Sequence, residues 1–103
     1  MTGARVTVTR NAPGDARERE VVVSIDGRTL ATLRYGGSFT ADIEPGPHRL
    51  RVHNTLVWKT ARFEAAPGDH ARFTVINRPG GSTSGLLTIL GARPLYLTLT
   101  REA

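Results

Sequence analysis

Hydrophobic and polar residues alternate with a period of two along most of the chain, the pattern of half-buried β-strands. No stretch sustains the period of a helix, and the alternating segments are rich in valine, isoleucine and threonine. We place the predicted strands at residues 5–9, 18–25, 28–35, 38–43, 48–53, 57–64 and 71–77, with a last strand through Leu95, Leu97 and Leu99. The pattern therefore predicts an all-β protein.

Turn residues separate these segments about every ten residues. Asp26-Gly27 predicts a type I′ hairpin, which needs positive φ at both central residues. Pro45-Gly46 is typical of a type II turn, and Pro67-Gly68 marks the next turn. A parallel βαβ architecture would need crossover helices, for which the chain has no room. We predict an antiparallel β-sandwich of seven to nine strands, transthyretin-like or Ig-like.

One segment departs from this rhythm. Residues 78–85 are rich in glycine and serine and predict a flexible loop, and the apolar run Leu86-Leu87-Thr88-Ile89-Leu90 follows. The run fits either a buried strand or a short helix near 85–90. Ser84 as N-cap and Gly91 as C′ residue favour the helix. The run either closes the core or projects as a tip that contacts a partner or a membrane. The candidate partner-binding residues are Leu86, Leu87, Ile89 and Leu90.

Length and composition bound the function classes. A chain of 103 residues has room for one domain, residues 1–103, and with 39% hydrophobic residues it is not expected to be disordered. The absence of cysteine excludes disulfides, thiolate metal sites and cysteine nucleophiles. The N-terminus lacks the pattern of a signal peptide, and no window reaches the length of an apolar membrane span. We expect a cytoplasmic protein.

The chain is basic, with a net charge of +5, and Lys59 is the single lysine among 14 basic residues. A basic balance favours acidic partners such as nucleic acid, anionic lipid or an acidic protein, and the alternative is a solvated surface of dispersed arginines. Alternation directs Arg49, Arg51 and His53 to one side of a strand. Arg62 and Arg72 are expected on neighbouring strands. The candidate anion-binding residues are Arg49, Arg51, Arg62 and Arg72, unless Glu44 and Glu64 offset them.

Trp58 is the single tryptophan, on a strand that admits two registers. One register packs the indole against Val52 as core, and this is the register we favour. The other exposes the indole beside Thr60 and Arg62 as an anchor for a partner. Trp58 is therefore also a candidate partner-binding residue.

Candidates for catalysis and metal binding are weak. His48 and His70 each stand two residues after a Pro-Gly pair and could meet beside Asp69, but no close-spaced ligand pair supports a zinc site. The glycine-rich segment at Ser82 lacks the lysine of a phosphate-binding loop. The carboxylates stand in turns or on outward strand positions, where nothing isolates one in an apolar pocket. We predict no enzyme activity, no metal and no cofactor.

One half of the chain carries a family resemblance. Val23-Ser24-Ile25-Asp26-Gly27 leads to Ala31-Thr32-Leu33, a glycine pair, a short strand and Ile43-Glu44-Pro45-Gly46-Pro47-His48. This arrangement resembles the PEGA-type and carboxypeptidase-regulatory-like (transthyretin-like) β-sandwich domains. The resemblance implies an accessory module with a binding or assembly role, often at bacterial surfaces, and it brings no catalytic motif.

Three functions are consistent with these observations. We expect a non-catalytic binding or structural module that contacts a protein partner or a second copy, as in a homo-oligomer, through an edge strand and residues 86–90. The alternative is a basic module for an anionic ligand, either nucleic acid or lipid headgroups. A small ligand at the mouth of the sandwich is a third option.

Overall fold

A computed structural model of the protein describes residues 3–17, 19–54, 57–79 and 95–102, and these residues contain strands and turns but no helix. The all-β prediction is confirmed for them. The strands are β1 (Ala4–Thr9), β2 (Val21–Ile25), β3 (Arg28–Leu33), β4 (Ser38–Ile43), β5 (Gly46–His53), β6 (Trp58–Ala65), β7 (His70–Pro79) and β8 (Leu95–Glu102).

The strands form two four-stranded sheets. Sheet A has the order β4-β1-β7-β8 and sheet B the order β3-β2-β5-β6. The prediction of purely antiparallel pairing is wrong for one pair, because β1 and β7 run parallel with Arg5 opposite His70 and Thr9 opposite Thr74. The chain passes through sheet B between β1 and β7, so no crossover helix is needed.

One hydrophobic core lies between the two sheets. Sheet A contributes Val6, Val8, Phe73 and Val75, and sheet B contributes the alternate residues of β2 and β5. Phe63 packs edge-on against Phe73, with ring centroids 5.1 Å apart, and so links the sheets at one end. Each strand presents its other side chains to the outer face of its sheet.

The predicted strand boundaries differ from the observed ones by two or more residues in β2, β3, β5 and β7, and β5 begins at Gly46 instead of 48. β2 begins at Val21 instead of 18, because Arg17 and Arg19 have positive φ angles of 63° and 62° that interrupt an extended chain. β3 ends at Leu33, two residues early. Residues 78 and 79, which we assigned to the flexible loop, belong to β7. The rest of that loop, the helix near 85–90 and the run Leu86–Leu90 lie outside the described residues.

The Asp26-Gly27 hairpin is confirmed, with φ of 51° at Asp26 and 84° at Gly27. The hairpin joins β2 to β3 at the end of sheet B where β5 begins, so it places the Asp26 carboxylate beside His48 and Arg49. Within the described ranges, no helix is long and apolar enough to cross a membrane.

Candidate anionic-ligand face

The outer face of β5 and β6 gathers most of the residues that the sequence nominated for anion binding. In this pair of strands, Arg49 lies opposite Arg62, Arg51 opposite Thr60, and His53 opposite Trp58. All but His53 are exposed. We call these six residues the basic face. It is one side of an antiparallel ladder, and beyond β5 it continues onto Ser24 and Val22 of β2.

Three arginines outside the basic face have carboxylate partners. Arg5 and Arg34 form ion pairs with Asp42 and Glu20, and Arg10 pairs with Asp15. Among the described residues, no carboxylate lies within 4.0 Å of the guanidinium nitrogens of Arg49, Arg51 or Arg62. Within the described ranges, these three guanidinium groups therefore form no ion pair, although the charge of Arg49 contributes to lowering the pKa of Asp26.

The favoured register for Trp58 is wrong, because the indole is 49% exposed on the basic face and is not part of the core. The guanidinium carbon of Arg51 lies 5.9 Å from the Trp58 ring centroid, and the His53 ring centroid lies 5.8 Å from it. These neighbours lie beside the indole without covering it. Half of an aromatic surface thus faces solvent beside cationic groups.

The prediction that Arg72 lies beside β5 is wrong. β7 pairs with β1 and β8, so Arg72 lies on the outer face of sheet A. There the Arg72 guanidinium donates to Nδ1 of His70 (3.2 Å), since arginine has no acceptor. The unshared pair of His70 is therefore on Nδ1, and Nε2–H donates to Thr7 Oγ1 at 2.6 Å. Because the proton sits on Nε2, His70 cannot act as a base towards Thr7.

A groove of about 560 Å³ opens at the end of the basic face where β5 begins and β6 ends. Arg49 and Arg62 line it, together with Phe63 and His48, and Asp26 and Glu64 bring two carboxylates. The groove adjoins Arg49 and Arg62 of the basic face. It therefore extends the basic face with a recess into which a ligand group can fit.

His48 lines this groove and lies between two hydrogen-bond acceptors. Its Nδ1–H donates to Asp26 Oδ2 at 2.7 Å and its Nε2–H donates to the Glu44 carbonyl at 2.6 Å. Only the protonated ring satisfies both. The Glu44 carbonyl and the Asp26 carboxylate raise the pKa of His48 against the opposing effect of burial, and the His48 and Arg49 N–H groups lower the pKa of Asp26.

The predicted meeting of His48 and His70 does not occur, because the two imidazoles belong to different sheets and bond to different partners. No group of three or more histidine, aspartate or glutamate side chains suited to a metal ion is found in the part of the chain that the structure describes.

A buried polar network at the opposite end of the core was not predicted. Arg10 and the Asp15 side chain are both 0% exposed and form a two-bond ion pair, Nε to Oδ2 at 2.9 Å and Nη2 to Oδ1 at 3.0 Å. Arg10 Nη1 donates to the carbonyls of Arg19 and Leu33. The signal was present in the sequence, because residue 10 continues the inward series 4, 6, 8 of β1.

The network continues through two buried asparagines. The Asn77 backbone N–H donates to Asp15 Oδ2 at 3.2 Å, and Asn54 Nδ2 donates to Asn77 Oδ1 at 2.9 Å. Burial by itself raises the pKa of Asp15, but the hydrogen bonds from Arg10, the Arg17 N–H and the Asn77 N–H outweigh it and lower that pKa. Every buried side-chain polar atom in the described ranges has a partner, so this network stabilises the structure and leaves no group free for chemistry.

Comparison with known proteins identifies no relative: no family model matches the chain, and no curated protein matches it.

Proposed function

We propose that the protein is a non-catalytic binding module that holds single-stranded nucleic acid on its basic face. The observation that carries the proposal is the placement of Arg49, Arg51 and Arg62, which have no carboxylate partner among the described residues, on one face with the exposed Trp58. Cationic groups contact phosphates, and an open aromatic surface between them stacks on bases.

Single-stranded nucleic acid fits this face better than a lipid surface does. Trp58 is the one exposed large hydrophobic residue among those whose side-chain exposure the structure describes, so the basic face offers no apolar patch to insert among acyl chains. A duplex hides the base surfaces that an indole would stack on. A single strand supplies both phosphates and free bases, which are the two groups that the basic face complements.

The protein-partner hypothesis and the family resemblance stay predictions. Leu86–Leu90 lie outside the described residues, so the described surface offers no support for a partner site there. The two-sheet architecture is consistent with the transthyretin-like or Ig-like type, and we propose that type for the fold.

The direct test is fluorescence anisotropy of a labelled single strand of about ten nucleotides, titrated with the protein at several salt concentrations. Three phosphate contacts predict that log affinity falls with log salt at a slope of about −2, which is about a 20-fold loss for a fourfold rise in salt. Arg51→Gln should weaken binding and reduce the slope by about 0.7. Arg72→Gln is the matched control, because it removes the same charge from the other sheet and should leave affinity within about twofold.

Trp58 allows a second measurement, because the chain has one tryptophan and its fluorescence reports this face alone. Binding should quench that emission, and Trp58→Ala should weaken binding by about 5-fold or more. Anionic vesicles and a duplex of the same length serve as competitors. Displacement of the strand by vesicles, or an affinity unchanged by Arg51→Gln and Trp58→Ala, would contradict the proposal.

A further inference from the structure

The groove at the end of the basic face holds an unusual pair of charges. Arg49 and Arg62 lie directly opposite each other on β5 and β6, and both line the groove. Like charges at directly opposed positions destabilise a sheet. An anion bound between the two guanidinium groups removes that repulsion, and two guanidinium groups suit a doubly charged anion.

Two carboxylates lie at the end of the basic face, beyond the Arg49–Arg62 pair. Glu64 is two residues after Arg62 on the same side of β6, and it lines the groove with Asp26. Asp26 is held there by His48 and by the Arg49 N–H. The cationic surface therefore runs from Trp58 and Arg51 to the Arg49–Arg62 pair and then meets negative charge. A phosphodiester chain that continued past the groove would place its next phosphates against these carboxylates.

From this order of charges we infer that the Arg49–Arg62 groove binds the terminal phosphate of the strand, with the rest of the strand lying towards Arg51 and Trp58. The inference rests on the proposed function and adds that the face recognises a phosphorylated end. A terminal phosphate carries about −1.5 to −2 charge near neutral pH, against −1 for an internal phosphodiester, so the paired guanidinium groups favour the end. The groove volume of about 560 Å³ lies in the range of sites for nucleotide-sized groups.

The groups that face the groove set its charge near neutral pH. Arg49 and His48 belong to β5, Arg62 and Glu64 to β6, and Asp26 to the β2–β3 turn. The His48 imidazolium and the Arg49 guanidinium both offset part of the Asp26 charge, and Glu64 is the second carboxylate of the groove. The groove thus keeps a positive balance at its arginine side and a negative one at its outer wall.

The test compares three oligonucleotides of one sequence, with a 5′-phosphate, with a 3′-phosphate, or with hydroxyl groups at both ends. One phosphorylated end should bind about 5- to 10-fold more tightly than the hydroxyl form, and the other end should not, because the strand lies in one direction. Arg62→Gln and Arg49→Gln should each abolish this preference, whereas Arg51→Gln should weaken all three ligands alike. Glu64→Gln should reduce the preference, because the hydroxyl-ended strand can then extend across the groove.

The outcomes separate the two proposals. Equal affinity of the three ligands for the wild-type protein, or an equal gain from a phosphate at either end, overturns the end-recognition inference and leaves the proposed function standing. No binding of any of the three overturns both. Far-ultraviolet circular dichroism of each variant checks that an altered preference does not come from unfolding.

Discussion

The buried ion pair between Arg10 and Asp15 leads to a stability prediction that can be worked out bond by bond. Each Asp15 oxygen accepts two N–H groups: Oδ1 from Arg10 Nη2 and the Arg17 backbone, and Oδ2 from Arg10 Nε and the Asn77 backbone. Asp15→Asn keeps the size of the side chain but replaces one oxygen by an NH₂ group. That group must face two donors, whichever way the amide is turned.

The expected loss is large because both side chains are fully buried. Removing one partner of a buried ion pair costs about 3–5 kcal/mol, since the other charge stays buried without compensation. A domain of this size is stable by about 5–15 kcal/mol. Asp15→Asn should therefore remove a large fraction of the free energy of unfolding. The melting temperature should fall by at least about 10 °C.

The matched control is an ion pair of the same residue types on the surface. Arg5 Nε lies 3.0 Å from Asp42 Oδ1, almost the distance of the buried pair, but the two side chains are 65% and 85% exposed. Asp42→Asn should cost no more than about 1 kcal/mol. Urea unfolding followed by far-ultraviolet circular dichroism measures both losses. Equal losses for Asp15→Asn and Asp42→Asn would refute the claim that burial sets the magnitude.

Three further perturbations test other parts of the structure. Stabilisation from His48 is fully present below its ordinary pKa of 6.5 and is lost as pH rises through the raised pKa of the folded state. Stabilisation from Asp26 is lost only as pH falls through a pKa below 3.8. Urea unfolding should therefore show lower stability at pH 9 than at about pH 6, and the dependence of stability on pH should be flatter for His48→Gln. Phe63→Ala should lower the free energy of unfolding by about 3–5 kcal/mol in the same assay, whereas Trp58→Ala should change it by no more than about 0.5 kcal/mol because the indole is outside the core. Similar losses for the two variants would contradict the burial of Phe63 and the exposure of Trp58. Gly27→Ala should lower thermal stability by about 1 kcal/mol, since φ of 84° strains any side chain there, and an unchanged melting temperature would argue against that hairpin geometry.

The local pattern was sufficient for the strands and turns because their causes are local. Alternation places every second side chain of a strand on one face, and a glycine or aspartate that tolerates positive φ fixes the Asp26-Gly27 hairpin. The same alternation directed Arg49 and Arg51 outward together. It also carried enough information to place Arg10 inward after Val8, although a buried arginine is acceptable only when a partner such as Asp15 is folded against it.

The alternation of hydrophobic and polar residues failed to predict side-chain directions where both faces of a strand are exposed to solvent. The first three residues of β6, Trp58, Lys59 and Thr60, are all exposed, so these positions show no alternation that would distinguish one register from the other. The register of β6 is set instead by its ladder with β5, which places Trp58 opposite His53 and Arg62 opposite Arg49. Trp58 therefore lies on the basic face, whereas the sequence analysis favoured a position in the core.

Residue type and period were sufficient to predict the strand segments, most turns and the outward direction of Arg49 and Arg51. The tertiary structure decided which strands are neighbours, because pairings such as β1 with β7 depend on contacts between distant parts of the chain. The strand order places Arg72 on the sheet opposite β5, and the pairing of β5 with β6 places Arg62 opposite Arg49. The sequence thus predicted that Arg49, Arg51 and Arg62 lie on neighbouring strands, and the sheet order separated Arg72 from them.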